Sequence, residues 1–136
     1  MYCFTHKLRI RYGETDQMGY CYYGNYAQFL EIGRVETLRE LGVSYKSLEE
    51  SGIMLPVAEL NIKYIKPSYY DDLISIKTTI TKTPSVKIEF DYEIYNEKNE
   101  LLTTAYTKLV FVNKTNMKPT FCPENLLEKF TKLKNS

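Results

Sequence analysis

A single helical segment that is apolar around more than half of its circumference constrains the fold of this chain more than any other feature. The segment runs from about Gly24 to Leu41, and side chains at steps of three and four form one stripe: Tyr26, Phe29, Leu30, Gly33, Thr37, Leu38 and Leu41. Ala27, Ile32 and Val35 lie outside that stripe. Asn25 is a residue type that favours the N-cap, and Gly42 stands where a C′ glycine ends a helix. Such a helix needs other structure packed around it.

Most of the remaining chain alternates between apolar and polar residues, which predicts β-strands. The predicted strands are Lys7–Tyr12, Met54–Lys66, Leu73–Lys82, Ser85–Tyr95 and Leu101–Asn113. Pro56 favours an edge position for the second of them. A helical turn beginning at Ser44 and a terminal helix over Pro123–Leu133 complete the pattern. One five-stranded antiparallel sheet that curls around the long helix satisfies every element, so we expect an α+β fold and a single domain over residues 1–136.

The overall charge excludes several classes of partner. The chain has 136 residues and a formal net charge of +1, which argues against a protein that binds nucleic acid or a membrane surface. The tail from Lys114 onward is mildly basic; a nucleotide phosphate is one partner for it, but a solvated helix is the favoured interpretation. No apolar leader and no stretch of membrane-spanning length is present in the sequence, which predicts a cytoplasmic protein without membrane insertion.

The cysteines are three in number, and no two of them form a C-x-x-C pair. This usage favours a reducing compartment and argues against a structural zinc site. Cys21 lies close to the long helix, but a nucleophilic cysteine needs a base. The sole histidine, His6, falls in a predicted edge strand, so a catalytic Cys21 is the less favoured hypothesis. No metal and no redox cofactor is implied.

The junction between the loop over residues 12–23 and the long helix is the predicted functional site. A helix start offers unpaired backbone N–H groups and the positive end of the helix dipole, here at Tyr22, Tyr23, Gly24 and Asn25. Asp16 lies upstream, in a loop that must return past the helix start. A carboxylate beside such amides indicates a reaction in which an oxygen gains negative charge. The alternative is that Asp16 only caps its loop.

Residues 14–26, ETDQMGYCYYGNY, and residues 29–34, FLEIGR, resemble the 4-hydroxybenzoyl-CoA thioesterase-like branch of the hotdog-fold acyl-CoA thioesterases. The similarity is particularly close to the bacterial acyl-CoA thioesterases associated with the Tol–Pal system. A second matching stretch, residues 55–73, extends the resemblance over nearly the whole chain. The resemblance implies the hotdog fold and an acyl-CoA substrate, with CoA entering only as part of that substrate.

The same resemblance assigns roles to individual residues. Asp16 aligns with the catalytic carboxylate of the family, and Tyr23 with the residue whose backbone N–H polarises the thioester carbonyl. Many relatives carry histidine at the position of Tyr23, so no role of that histidine side chain is carried over. Tyr22, Gly24 and Asn25 are expected beside the substrate. The strand that contains Glu59 corresponds to one that lines the pocket near the subunit boundary in relatives, so Glu59 is also expected to be a substrate-binding residue. A homodimer or homotetramer is expected.

Several alternatives remain open at the level of the sequence. Asp16 is either a general base acting on water or a nucleophile that forms an anhydride. Two other functions are a hotdog dehydratase acting on acyl carrier protein and a non-catalytic acyl-binding or scaffold module. Glu31 and Arg34 are one turn apart, which favours an ion pair, although they are also candidates for anchoring a partner subunit or the Asp16 loop.

Overall fold

A computed structural model describes residues 1–134, and residues 135 and 136, the end of the predicted domain, lie outside the described residues. The strands are β1 (Tyr2–Arg9), β2 (Ile53–Met54), β3 (Val57–Tyr64), β4 (Leu73–Ile80), β5 (Lys87–Tyr95), β6 (Leu101–Val110) and β7 (Val112–Asn113). The helices are α1 (Tyr26–Leu41), α2 (Tyr45–Glu50) and α3 (Glu124–Lys134). Short 3₁₀ turns cover Tyr12–Glu14 and Tyr23–Asn25.

Five strands form one antiparallel sheet in the order β1-β4-β5-β6-β3, and β2 pairs with β7 beside it. The consecutive strands β4, β5 and β6 form a meander, and the edge position predicted for the strand that follows Pro56 is confirmed. Two predicted strands are divided in the structure. Met54–Lys66 becomes β2 and β3 on either side of Pro56, and Leu101–Asn113 becomes β6 and β7 on either side of Phe111.

Helix α1 packs against β1 and β4 through the predicted stripe, of which all but the half-buried Leu41 is buried. Gly33 permits this close approach. A Cβ atom there would lie 2.7 Å from Thr78 Oγ1 and 2.8 Å from Ile76 Cγ2. The opposite side of the helix remains exposed at Ala27, Gln28 and Glu31, so a single chain does not enclose α1 as the sequence suggested.

The C-terminal end of α1 agrees with the prediction, and the N-terminal end differs from it. Gly42 adopts the left-handed conformation with φ 101° and ends the helix as expected. The start is two residues later than Gly24, because residues 23–25 form a 3₁₀ turn. Asn25 is the N-cap residue of α1, as the sequence predicted, but its side chain accepts no capping hydrogen bond, and Nδ2 instead donates to the Glu14 carbonyl.

The first strand begins earlier and ends earlier than predicted. Alternation extends to Tyr12, but the chain turns at Arg11, whose N–H donates to Glu14 Oε1 at 2.7 Å. Tyr12 is therefore exposed in a turn and does not lie on a strand face. None of the helices within residues 1–134 is long and apolar enough to span a membrane.

Candidate active site

A tight hairpin positions Asp16. Thr15 and Cys21 form an antiparallel bridge, and the Asp16 N–H donates to the Tyr20 carbonyl at 2.9 Å. The Gly19 N–H returns to the Asp16 carbonyl at 3.0 Å, and Gly19 closes the turn at φ 85°, a conformation that glycine adopts at no steric cost. The backbone of Asp16 is thus held at both of its polar groups.

The Asp16 carboxyl group has one anchored oxygen and one open oxygen. Oδ1 accepts a hydrogen bond from the Met18 N–H at 2.9 Å, while Oδ2 accepts none from the described residues. The side chain is half-buried, and its negative charge adds a small contribution to the raised pKa of Cys21, for which burial of the thiol is the main cause. An anchored carboxylate with an open oxygen is suited to accept a proton or to attack a carbon.

Glu14 connects the loop to the start of the helix. Its carbonyl accepts the Tyr22 N–H at 2.7 Å and Asn25 Nδ2 at 2.8 Å. Two of the four backbone amides that were expected to face a ligand therefore already donate a hydrogen bond within the protein. The Tyr22 N–H donates to the Glu14 carbonyl, and the Asn25 N–H donates to the Tyr22 carbonyl at 3.0 Å. The expectation that all four amides are available was wrong.

The Tyr23 and Gly24 amides are the ones left open, because neither donates a hydrogen bond to any group within residues 1–134. Each of these two N–H groups shares its peptide group with a carbonyl oxygen that already accepts a hydrogen bond. The Tyr22 carbonyl receives the Asn25 N–H, and the Tyr23 carbonyl receives the Tyr64 hydroxyl at 3.0 Å. Hydrogen bonds in such a chain polarise one another, so the Tyr23 and Gly24 N–H groups are strengthened as donors.

Two clefts reach this pair of residues, one lined by Tyr23 and the other by Gly24. A cleft of about 260 Å³, here called the tyrosine pocket, is lined among others by Tyr20, Cys21, Tyr23, Tyr26, Tyr64 and Lys66. A wider cleft of about 420 Å³, here called the helix groove, lies between α1 and β3 and is lined among others by Gly24, Gln28, Glu31, Arg34, Leu60 and Thr107. A thioester bound at the two amides would therefore extend into both clefts.

Tyr64 is a site residue that the sequence analysis missed. Its ring lies edge-on to Tyr23 at 6.1 Å and to Tyr26 at 5.2 Å, and its hydroxyl holds the turn. Tyr64 ends an edge strand more than forty residues from Asp16. No local pattern could have placed it there; the abundance of tyrosine was the one available signal.

Three further predicted residues have the following surroundings. Glu59 is exposed, lies 3.7 Å from Lys108 Nζ and lines neither cleft. The prediction of an ion pair between Glu31 and Arg34 was wrong. Arg34 is buried, and its Nε donates to the Tyr45 hydroxyl at 3.2 Å. Glu31 is exposed in the helix groove.

Cys21 is unsuited to be a nucleophile at neutral pH. Burial is the largest cause that raises the pKa of its thiol to about 11, with a further contribution from Glu14 and Asp16. The thiolate is the reactive form, so this thiol is unreactive near pH 7. Within residues 1–134, no three His, Cys, Asp or Glu side chains are grouped so as to hold a metal ion.

Comparison with known proteins identifies the class. The family model of the Thioesterase superfamily, 4HBT, matches residues 18–103, which is more than half of the chain. The chain therefore belongs to the thioesterase superfamily, and the prediction of a hydrolase with the hotdog fold is confirmed. The assignment to the Tol–Pal branch within this family stays a prediction.

Individual relatives span nearly the whole chain. YneP of Bacillus subtilis is 35% identical over 119 residues, covering 88% of this chain and 86% of its own. The acyl-CoA thioester hydrolase YbgC of Escherichia coli is 31% identical, covering 93% and 95% of the two chains. A DHNA-CoA thioesterase from Staphylococcus aureus has the same structure with a TM-score of 0.93 and 35% identity, covering 99% of this chain and 93% of its own.

Proposed function

We propose that this protein hydrolyses acyl-CoA thioesters to a free acid and CoA. The observation that carries the proposal is the pair of unengaged, polarised amides at Tyr23 and Gly24, which follow directly on the hairpin that holds Asp16 with one carboxylate oxygen open. Relatives named for hydrolysis of acyl-CoA and DHNA-CoA thioesters support the substrate class. CoA enters as part of the substrate, and the proposed chemistry requires no cofactor.

In the proposed reaction the thioester carbonyl oxygen accepts the Tyr23 N–H, with the Gly24 N–H beside it. Negative charge that develops on this oxygen is stabilised by donors that are already oriented, which is where such groups contribute most to rate. Asp16 Oδ2 removes a proton from water as the water oxygen bonds to the carbonyl carbon. The C–S bond then breaks, and the proton goes to the departing thiolate of CoA.

A covalent route uses the same groups. Asp16 Oδ2 attacks the carbonyl carbon directly, the thiolate leaves, and water hydrolyses the resulting anhydride to the acid and the Asp16 carboxylate. Tyr22 and Asn25 are assigned to the substrate's immediate surroundings: the Tyr22 ring covers Gly24, and Asn25 holds the turn. Glu59, on the exposed edge strand, is assigned to the part of the substrate pocket at the boundary with a second subunit.

Replacement of Asp16 by asparagine tests the proposal. The Asp16→Asn side chain keeps an acceptor for the Met18 N–H but loses the base and nucleophile, so we expect kcat to fall by about 10²–10⁴. Thiol released from a panel of acyl-CoAs measures the rate. Asp91→Asn, on the exposed side of β5, is the matched control and should leave the rate unchanged.

Two results would contradict this assignment. An Asp16→Asn enzyme that turns over acyl-CoA at the parent rate would remove Asp16 from the mechanism. Acyl-CoA binding without any thiol release by the parent protein would favour the non-catalytic acyl-binding module instead.

A further inference from the structure

Arg34 is a buried cation without a counter-charge. Its residue surface is 7% exposed, and within the described residues no carboxylate oxygen lies within 4.0 Å of its guanidinium. The other acids of α1 do not compensate it. Glu31 and Glu40 are exposed, and Glu36 pairs with Arg39. Arginine is almost never buried unless it is paired, since an uncompensated charge is costly to remove from water.

The groups that do contact Arg34 are neutral hydroxyls. Nε donates to the Tyr45 hydroxyl at 3.2 Å, and the Tyr92 hydroxyl also faces the guanidinium. A guanidinium has only donors, so each hydroxyl oxygen beside it acts as an acceptor and directs its own hydrogen elsewhere. The Tyr92 hydroxyl is 2.7 Å from Thr107 Oγ1, and either hydroxyl can be the donor in this hydrogen bond.

This cluster of donors lies in the helix groove, which begins at the Gly24 amide. Gly24, Arg34 and Thr107 all line that groove. A helix advances about 1.5 Å per residue, and a long side chain folds back toward the N-terminus, so the guanidinium lies about 10 Å from the helix start. An extended carbon chain advances about 1.3 Å per bond, so about six to eight carbons cover about 6–9 Å and reach the guanidinium through a hydrogen bond of about 3 Å.

On the basis of the proposed function, we propose that the helix groove receives the acyl chain and that Arg34 binds a carboxylate at its far end. The preferred substrates are then acyl-CoAs of about six to eight carbons that carry a second, terminal carboxylate. A carboxylate matches the planar guanidinium, and the Thr107 hydroxyl, which lines the same groove, is a second polar group for it. Glu31 lies at the exposed rim of the groove, where solvent screens its charge.

The test compares two substrates of equal length, suberyl-CoA and octanoyl-CoA, which differ only at the carbon farthest from the thioester. Their intrinsic reactivity toward hydrolysis is therefore closely matched. A hydrogen-bonded charged group contributes enough that we expect kcat/KM for suberyl-CoA to exceed that for octanoyl-CoA by about tenfold or more. A ratio of one or less would overturn the proposal while leaving the thioesterase assignment intact.

Variants of Arg34 locate the effect. Arg34→Met should bring the ratio to about one or below, and Arg34→Lys, which keeps the charge, should restore part of it. The rate of octanoyl-CoA hydrolysis by the same variant shows whether the variant is folded. The ratio of kcat/KM for the two substrates does not depend on how much of the protein is active. Arg39→Met is the matched control, as Arg39 lies on α1, is exposed and pairs with Glu36 outside the groove; its ratio should equal that of the parent. If Arg34→Met does not fold, Tyr45→Phe should still lower the ratio by loosening Arg34.

Other sources for the missing anion give different results. If Arg34 receives the CoA arm, Arg34→Met will raise KM for both substrates equally. If it receives a carboxylate from a second copy of the chain, Arg34→Met will weaken self-association with the ratio unchanged. Either result overturns the proposal. If the parent hydrolyses neither substrate, the proposed function fails, and calorimetric binding of the two CoA esters still tests the preference for the terminal carboxylate.

Discussion

Tyr23 contributes to the proposed chemistry through its backbone, while its side chain lines the tyrosine pocket and is largely exposed. The residue is 63% exposed, and its amide is the open donor. Tyr23→Phe keeps both the ring and the amide, so we expect kcat to fall by less than about tenfold, whereas an oxyanion donor itself contributes about 10²–10³. Steady-state kinetics beside Asp16→Asn decide the matter. A hundredfold loss in a folded Tyr23→Phe enzyme would transfer the role to the hydroxyl.

Cys21 gives a second prediction for a single residue. Because burial raises the pKa of its thiol to about 11, the group stays protonated from acidic pH to well above neutrality and supplies no nucleophile there. Cys21→Ala should therefore retain kcat within about tenfold at pH 7, unlike a variant of a true nucleophile. Iodoacetamide treatment of the parent, followed by the same assay, should likewise leave activity largely intact. A loss as large as that of Asp16→Asn, with an unchanged circular dichroism spectrum, would contradict this.

The packing of α1 on the sheet depends on the missing side chain at Gly33. Gly33→Ala would place a Cβ atom within 2.8 Å of both Thr78 and Ile76, in a core that has little room to yield. Alanine normally favours a helix over glycine by about 0.5–1 kcal/mol, but overpacking costs about 1–3 kcal/mol and should dominate. We expect a lower urea midpoint for unfolding.

Gly13→Ala is the control for this change, since a Cβ atom at Gly13 would meet nothing within 4 Å. Its midpoint should remain near that of the parent. A stabilised Gly33→Ala protein would show that α1 can shift away from β4.

The elements whose pattern is local were predictable from the sequence, and those set by distant contacts were not. The alternation of apolar and polar residues predicts that Ile74, Ile76, Ile88 and Phe90 face inward, and all four are buried. Val86 continues the same alternation but is exposed, because β5 begins only at Lys87. The start of α1 was displaced because the Glu14 carbonyl, eleven residues upstream, binds Asn25. Asp16 was found through the resemblance to a known family. Tyr64 and the unpaired charge of Arg34 were not found, because they too depend on contacts between residues that are far apart in the chain.

At the scale of the whole molecule, the exposed face of β3 predicts self-association. All residues of this strand except Ile62 are exposed, among them Val57, Leu60 and Tyr64, and one edge of the strand is unpaired within the described chain. A long free edge is an aggregation hazard unless it is covered. We expect a two-fold dimer in which β3 pairs with its own copy, with a tetramer of two such dimers as a further possibility.

Light scattering at micromolar concentration measures this state directly. Leu60→Glu should dissociate the dimer, because it places like charges face to face at the pairing edge. Val86→Glu, an equally exposed apolar residue before β5, should not. A parent protein that is monomeric under these conditions would rule out the predicted assembly.

The hydroxyl of Tyr64 connects that edge strand to the reacting centre. It bonds to the Tyr23 carbonyl, which shares a peptide group with the Gly24 N–H, so any shift of β3 alters how strongly Gly24 donates. Turnover per subunit should then depend on protein concentration, falling as the enzyme is diluted below its dissociation constant and recovering on reconcentration. Dilution of the parent from a concentrated stock should accordingly produce a progress curve that slows as subunits separate. Tyr64→Phe should turn over more slowly and lose much of this sensitivity, since its ring remains but its connection to the turn does not.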